Sequence, residues 1–271
     1  MLYNGIFELK AHNNEEVASF YQGEMDLDLK INQYLILKNE KDEVIDKLRW
    51  DGNSFVKLNR VKLQTIKPKT VRQECLFDLL SNKDIPIKII AGVAGSGKSK
   101  LAISHGLHFV QKGDFGKIFI VRHNVAVGEK NGYVKGSKLE KAMAWLGFFE
   151  DNIEDQQLNM TDMFDRKMLD TDFIEAMKGR DLKNAFIIVD EAEDLTSEQF
   201  KMMGERVSYG SSICFVGDYN QTTQEKYKTN SGLIRAIEKL AGNPLVGVIV
   251  FDDVEGDNVR SEASKVFTSI Y

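Results

Sequence analysis

The stretch Ile87–Ser99, IKIIAGVAGSGKS, constrains this chain more than any other. Gly92-Val93-Ala94-Gly95-Ser96-Gly97-Lys98-Ser99 fits the spacing G-x-x-x-x-G-K-[ST] at every fixed position. The apolar residues Ile87, Ile89, Ile90 and Ala91 before it read as a buried strand. Leu101, Ile103 and Leu107 after it recur at helical spacing. Strand, glycine loop and helix in that order make a phosphate site. Glycines let the loop turn its backbone N–H groups inward, where they and the helix N-terminus hold β- and γ-phosphates. Lys98 brings positive charge to those phosphates, and the Ser99 hydroxyl is suited to ligate Mg²⁺. The candidate nucleotide-binding residues are therefore Gly92, Val93, Ala94, Gly95, Ser96, Gly97, Lys98, Ser99 and Lys100. The bland alternative, a glycine-rich turn opening an ordinary helix, is disfavoured by the flanking elements.

A second chemical element is Asn184–Glu191, four apolar residues, Phe186 to Val189, followed by Asp190-Glu191. This is a Walker B pattern. In open α/β sheets ligands bind at the C-terminal strand ends, and the strand delivers both acids there. Asp190 is suited to the Mg²⁺ shell, and Glu191 to orienting and activating the attacking water. A solvated acid pair at a strand end is the alternative. Its order and distance after a P-loop weigh against that. Ser212–Asp218 reads as another strand, with Gln221 just beyond as a γ-phosphate sensor. Lys117–Val121 and Leu245–Phe251 read as further strands, and Ser261–Tyr271 as a closing helix. Strands alternating with helices predict a parallel sheet. Helices are expected over Ser137–Phe149, with a hinge at Gly147, and over Thr161–Asp170.

Composition limits the alternatives. The chain has 271 residues, 42% hydrophobic and 28% charged, with three prolines, which describes a globular protein. A net charge of −5 argues against a wholly basic nucleic-acid footprint but leaves room for a local one. Cys75 and Cys214 follow no pairing pattern and read as buried thiols of a reducing compartment. With neither a leader-like N-terminus nor an apolar run of membrane length, the expectation is a cytoplasmic protein with no membrane partner. His105 and His108 lack further metal ligands in the pattern and read as ordinary core or surface histidines.

Residues 1–65 differ from the rest. Short runs of partial alternation are separated by Asn13-Asn14, by 39–43 and by Asp51-Gly52-Asn53, which predicts a small antiparallel β unit with a hairpin turn at Asp51-Gly52. Tyr34, Trp50 and Phe55 either fill a small core or stack bases. Val71–Leu80 predicts an amphipathic helix. Its Gln73, just upstream of the P-loop strand, carries an amide that can read adenine or simply be solvated. The long glycine-bearing loop Arg122–Lys138, with His123, Lys130, Tyr133, Lys135 and Lys138, is the candidate nucleic-acid surface, with a solvated lysine loop as the alternative.

Taken together, residues 66–271 resemble the PhoH-like family of P-loop ATPases, relatives of superfamily 1 helicases. The likeness rests on Pro68 with Gln73, Val121–Trp145, Lys178–Asp194, Ser208–Thr222, Ser231–Leu233 and Val259-Arg260. It implies a RecA-like P-loop NTPase with a mostly parallel sheet, preceded by a small β-rich module over residues 1–65. It also implies ATP and Mg²⁺ as ligands, and RNA or single-stranded DNA as partner. On matching positions it assigns Gln73 to adenine, Gly95–Ser99 to phosphates, Asp190 and Glu191 to Mg²⁺ and water, and Gln221 to the γ-phosphate. Two departures stand out: Glu193 where the family usually has an amide, and His123 where it has proline. Because a RecA-type site is completed by an arginine from a second domain or subunit, one core per chain implies a homo-oligomeric ring, with six subunits by resemblance. Arg260 is the first candidate finger, with Arg206 and Arg180 behind it.

Overall fold

The computed structural model describes residues 2–59, 61–123, 146–154, 158–222 and 230–252, the side chains of Phe148, Asp151 and Glu154 excepted. Its main body is an α/β unit on a six-stranded sheet. The strands are β5 (Ile87–Gly92), β6 (Lys117–Arg122), β7 (Leu169–Phe173), β8 (Ala185–Asp190), β9 (Ser212–Gly217) and β10 (Val246–Phe251). They lie in the order β10-β5-β9-β8-β6-β7, and every neighbouring pair is parallel. This is the expected RecA-like P-loop fold. Strands buried on both faces must be apolar throughout. FIIV in β8 and ICFV in β9 meet that demand and are buried without interruption. Since β9 lies between the P-loop strand β5 and the acid-bearing strand β8, the C-terminal tips of all three converge on one edge.

Helix α2 (Val71–Ser81), predicted from its spacing, starts at Thr70, whose side chain accepts the Gln73 N–H. Helix α3 (Lys98–Gln111) follows the P-loop. Gly106 of α3 lies so close to β6 and β8 that a Cβ there would approach Ile118 Cδ1 to 2.7 Å and Phe186 Cδ1 to 2.8 Å. Further helices among the described residues are α4 (Gly147–Glu154), α5 (Met160–Asp165), α6 (Ser197–Gly204) and α7 (Gly232–Leu240). His105 is a buried core histidine whose Nδ1 donates to Leu101 O at 2.8 Å, and Cys75 and Cys214 are buried and unbonded. Among the described residues no helix is long and apolar enough to cross a membrane.

Three expectations are corrected. The N-terminal unit is not purely antiparallel. Strands β1 (Ile6–Lys10) and β2 (Tyr34–Lys38) are parallel, and only β2, β3 (Val44–Trp50) and β4 (Phe55–Lys57) pair antiparallel. The parallel pair needs a crossover, and α1 (Asn14–Gln22) supplies it. Asn13, read as turn punctuation, is the helix cap: its side chain accepts the Glu16 N–H at 2.9 Å. Second, the helix expected over Thr161–Asp170 ends at Asp165, and β7 follows. Lys167, at φ 59°, turns the chain, after which Leu169 and Thr171 alternate inward and Asp170 and Asp172 outward. Third, Gly147 opens α4 and does not hinge a helix ending at Phe149. Residues 124–145 and the closing helix lie outside the described residues. The hairpin turn at Asp51-Gly52 is present between β3 and β4.

Candidate nucleotide site

Three glycines of the P-loop have positive φ, 117° at Gly92, 86° at Gly95 and 85° at Gly97. Two of these show why no other residue fits. A Cβ on Gly92 would sit 2.0 Å from Phe251 O of the neighbouring strand, and Gly97 opens α3 from the left-handed region. With the loop in this shape Lys98 is buried at 7% exposure. Its Nζ donates to Gly92 O at 2.6 Å, Val93 O at 2.7 Å and Ser96 Oγ at 3.3 Å.

The acids arrive from β8. Ser99 Oγ donates to Asp190 Oδ1 at 3.1 Å, so the hydroxyl and carboxylate read as Mg²⁺ partners meet across 91 residues of chain. Asp190 is buried, which pushes its carboxyl above the usual range, against the opposing pull of Arg122, Ser99 and Lys98. Glu191 takes a left-handed backbone, φ 54° and ψ 44°, and its Oε1 contacts the Arg122 guanidinium. Glu193 is buried beneath the tip of β9, where its Oε2 accepts the Asp218 N–H at 3.0 Å. Burial, reinforced by Asp190 and Asp194, pushes its carboxyl up to about 7.

These elements enclose a cavity of about 340 Å³ lined by Ala94, Gly95, Gly97, Lys98, Ser99 and Lys100 from the P-loop. Asp190, Glu191 and Glu193 line it from beyond β8, and Val216, Gly217, Asp218 and Gln221 from β9 and its tip. Gly92, Val93 and Ser96 are not on the lining. Ser96 turns its hydroxyl to Val93 O at 2.9 Å and holds the loop from within. Gln73 is buried behind the loop, outside the lining. Its Oε1 accepts the Lys69 N–H at 2.7 Å and its Nε2 donates to Ser96 O at 2.8 Å. Arg206 precedes β9, on the opposite edge of the sheet from the acids, with Nε on Met202 O and Nη1 on Arg180 O, each at 3.2 Å. Arg180 is paired with Asp172 at 2.7 Å. Arg260 lies outside the described residues, as does the candidate nucleic-acid loop beyond His123.

Two site residues escaped the sequence. Asp218 lines the cavity, although the strand it ends was recognised. Arg122 was read as loop, yet β6 and β8 are neighbours with Arg122 opposite Asp190. A polar residue closing a buried apolar run is the signal that finds both, since parallel strand tips share one edge.

The family described as PhoH-like protein matches residues 65–271. Protein PhoH2 of Bacillus subtilis (strain 168) is 32% identical over 201 residues, 68% of this chain and 43% of that protein. A PhoH-like protein of Mycobacterium tuberculosis (strain ATCC 25618 / H37Rv) is 34% identical over 163 residues, 58% of this chain and 45% of its own. Protein PhoH2 of Thermobispora bispora is 25% identical over 276 residues, 99% of this chain and 63% of that protein. The chain spans about half the length of the curated relatives it matches. Because the family match takes in every strand of the six-stranded sheet and every residue lining the cavity, the chain belongs to the PhoH-like protein family.

Proposed function

We propose that the protein is a Mg²⁺-dependent ATPase that converts ATP to ADP and phosphate and couples this to RNA or single-stranded DNA. The observation that carries the reading is the meeting of Ser99 and Asp190, with Glu191 on the same cavity wall. A P-loop that merely opened a helix would have no reason to place its hydroxyl on a buried acid. The residues fit the ligands. Lys98 and the loop N–H groups suit phosphates, and Ser99 with Asp190 would hold Mg²⁺, which neutralises phosphate charge when bound. Glu191 is the candidate base for the attacking water, and Gln221 the candidate γ-phosphate contact. The expected result is ATP turnover that rises on addition of single-stranded polynucleotide. Glu191→Gln should retain ATP binding and lose about 10²- to 10⁴-fold in rate. Lys98→Ala should weaken binding as well. ATP-dependent polynucleotide binding without turnover, unaltered by Glu191→Gln, would favour an ATP-switched binding module instead.

We also propose, from the family resemblance, that the site is completed in trans within a homo-oligomeric ring, hexameric by resemblance, with Arg260 as first candidate. Mixing Arg260→Ala with Glu191→Gln subunits should restore hydrolysis at interfaces that unite both intact residues. No restoration despite subunit exchange would rule the shared site out.

A further inference from the structure

We infer that Arg122 is a positioning residue that holds Glu191 at the wall of the phosphate cavity, an inference that rests on the hydrolytic reading above. Three observations carry it. Arg122 is the last residue of β6 and sits opposite Asp190 of β8, so its side chain leaves the sheet edge beside both acids. Its Nη2 contacts Glu191 Oε1. Glu191 lines the cavity, so the guanidinium holds a carboxylate that borders the ligand space.

Glu191 needs such a hold. Its left-handed backbone costs a non-glycine residue free energy and persists only where the surroundings over-determine it. It follows the buried Asp190 directly and faces a space suited to polyphosphate. Like charges would push a free carboxylate away from both. A planar guanidinium fixes orientation as well as charge, which the compact ammonium of lysine does only in part. The general form is a base oriented by a third group. Arg122 here would be that third group, acting through Glu191 and not on the ligand.

The test is a double-mutant cycle in the full chain, with single-turnover and steady-state ATP hydrolysis and nucleotide affinity as readouts. Arg122→Ala should lower kcat by about 10- to 100-fold, the scale on which a reacting group loses its orienting partner. KM for ATP and nucleotide affinity should stay within about 3-fold. Arg122→Lys should recover part of the rate. In the Glu191→Gln background, Arg122→Ala should add less than about 2-fold, because a residue acting through Glu191 has nothing left to position. Losses that multiply in the double variant, an affinity that falls in step with kcat, or an unchanged kcat in Arg122→Ala would each overturn the inference. In those cases wild type and Glu191→Gln still behave as hydrolase and impaired hydrolase. A wild type without turnover, or Glu191→Gln at the wild-type rate, would remove the function itself and this inference with it.

Discussion

At the scale of single residues, Glu193 has the most consequential environment after the Walker acids. It is 8% exposed, it faces Asp190 and Asp194, and the Asp218 N–H is its hydrogen-bond donor. Its folded pKa, about 7, lies above the ordinary 4.5. The folded protein therefore holds more protons than the unfolded chain between pH 4.5 and 7, and this residue's contribution to stability falls as pH rises through that window. The slope from one such group reaches at most about 1.4 kcal/mol per pH unit. Glu193→Gln removes the titration. Urea denaturation should therefore find the variant more stable than wild type at pH 8 and the gap closing toward pH 5. Parallel stability profiles would show that Glu193 does not titrate in this range. The same chemistry bears on the departure from the family's amide: an amide offers two donor hydrogens and a protonated carboxyl one, so burial returns at lower pH one of the donors that the substitution removed.

Among the elements, α2 ties the P-loop down from behind. The Gln73 amide spans Lys69 N–H and Ser96 O, and the neighbouring Arg72 donates to Val250 O of β10 at 2.6 Å. Gln73→Ala leaves the buried Ser96 carbonyl without its donor and the part-buried Lys69 N–H without its acceptor, which should cost about 1–3 kcal/mol of stability. If the amide serves the loop, affinities for ATP and GTP should fall together. A loss confined to ATP would favour the adenine role implied by resemblance. The spacing of Gln73 from the P-loop was plain in the sequence, but the partner of its amide was not, because that depends on how α2 meets β5. The same division runs through the fold. The apolar runs of β5, β6, β8, β9 and β10 were legible because a strand buried on both faces has little compositional freedom. By contrast, β7 hid behind the alternating acids of LDTDF, and α1 behind an Asn pair that caps as readily as it turns. At the site, Ser99 and Asp190 could be matched by motif. The Arg122 contact to Glu191 depends on β6 lying beside β8, and strand order is a property of the sheet that no local pattern encodes.

For the whole molecule, the decisive feature is how the N-terminal sheet joins the six-stranded one. Ile6, Tyr34 and Ile36 belong to the same buried apolar cluster as Leu76, Leu79 and Ile249. Tyr34, for which the sequence allows a core or a base-stacking role, is a core residue: it is fully buried and donates its hydroxyl to Asp78 of α2 at 2.7 Å. Asp78 also accepts from Arg49 Nε at 3.2 Å and from the Asn59 N–H at 2.7 Å, so one carboxylate gathers β2, β3, the segment after β4 and α2. At the edge of the large sheet, Val250 N–H donates to Asn4 O at 2.9 Å, and Asn32 Nδ2 donates to Pro244 O at 2.9 Å and Val246 O at 3.0 Å. The exposed edge of β10 is thereby covered. Residues 2–59 are thus built into the body that carries the candidate nucleotide site. A chain beginning at residue 66 would uncover the apolar faces of α2 and β10 and leave Asp78 without Tyr34, Arg49 and Asn59. It should lose cooperative unfolding and nucleotide binding together. Tyr34→Phe is the milder version: it removes one buried hydrogen bond to a charged acceptor and should cost about 1.5–3 kcal/mol in urea denaturation while leaving the nucleotide site intact. A truncated chain that binds ATP as the full chain does and unfolds in one sharp transition would mean that the large sheet is stable alone and that the contacts at Asp78 and along β10 only dock a separate unit.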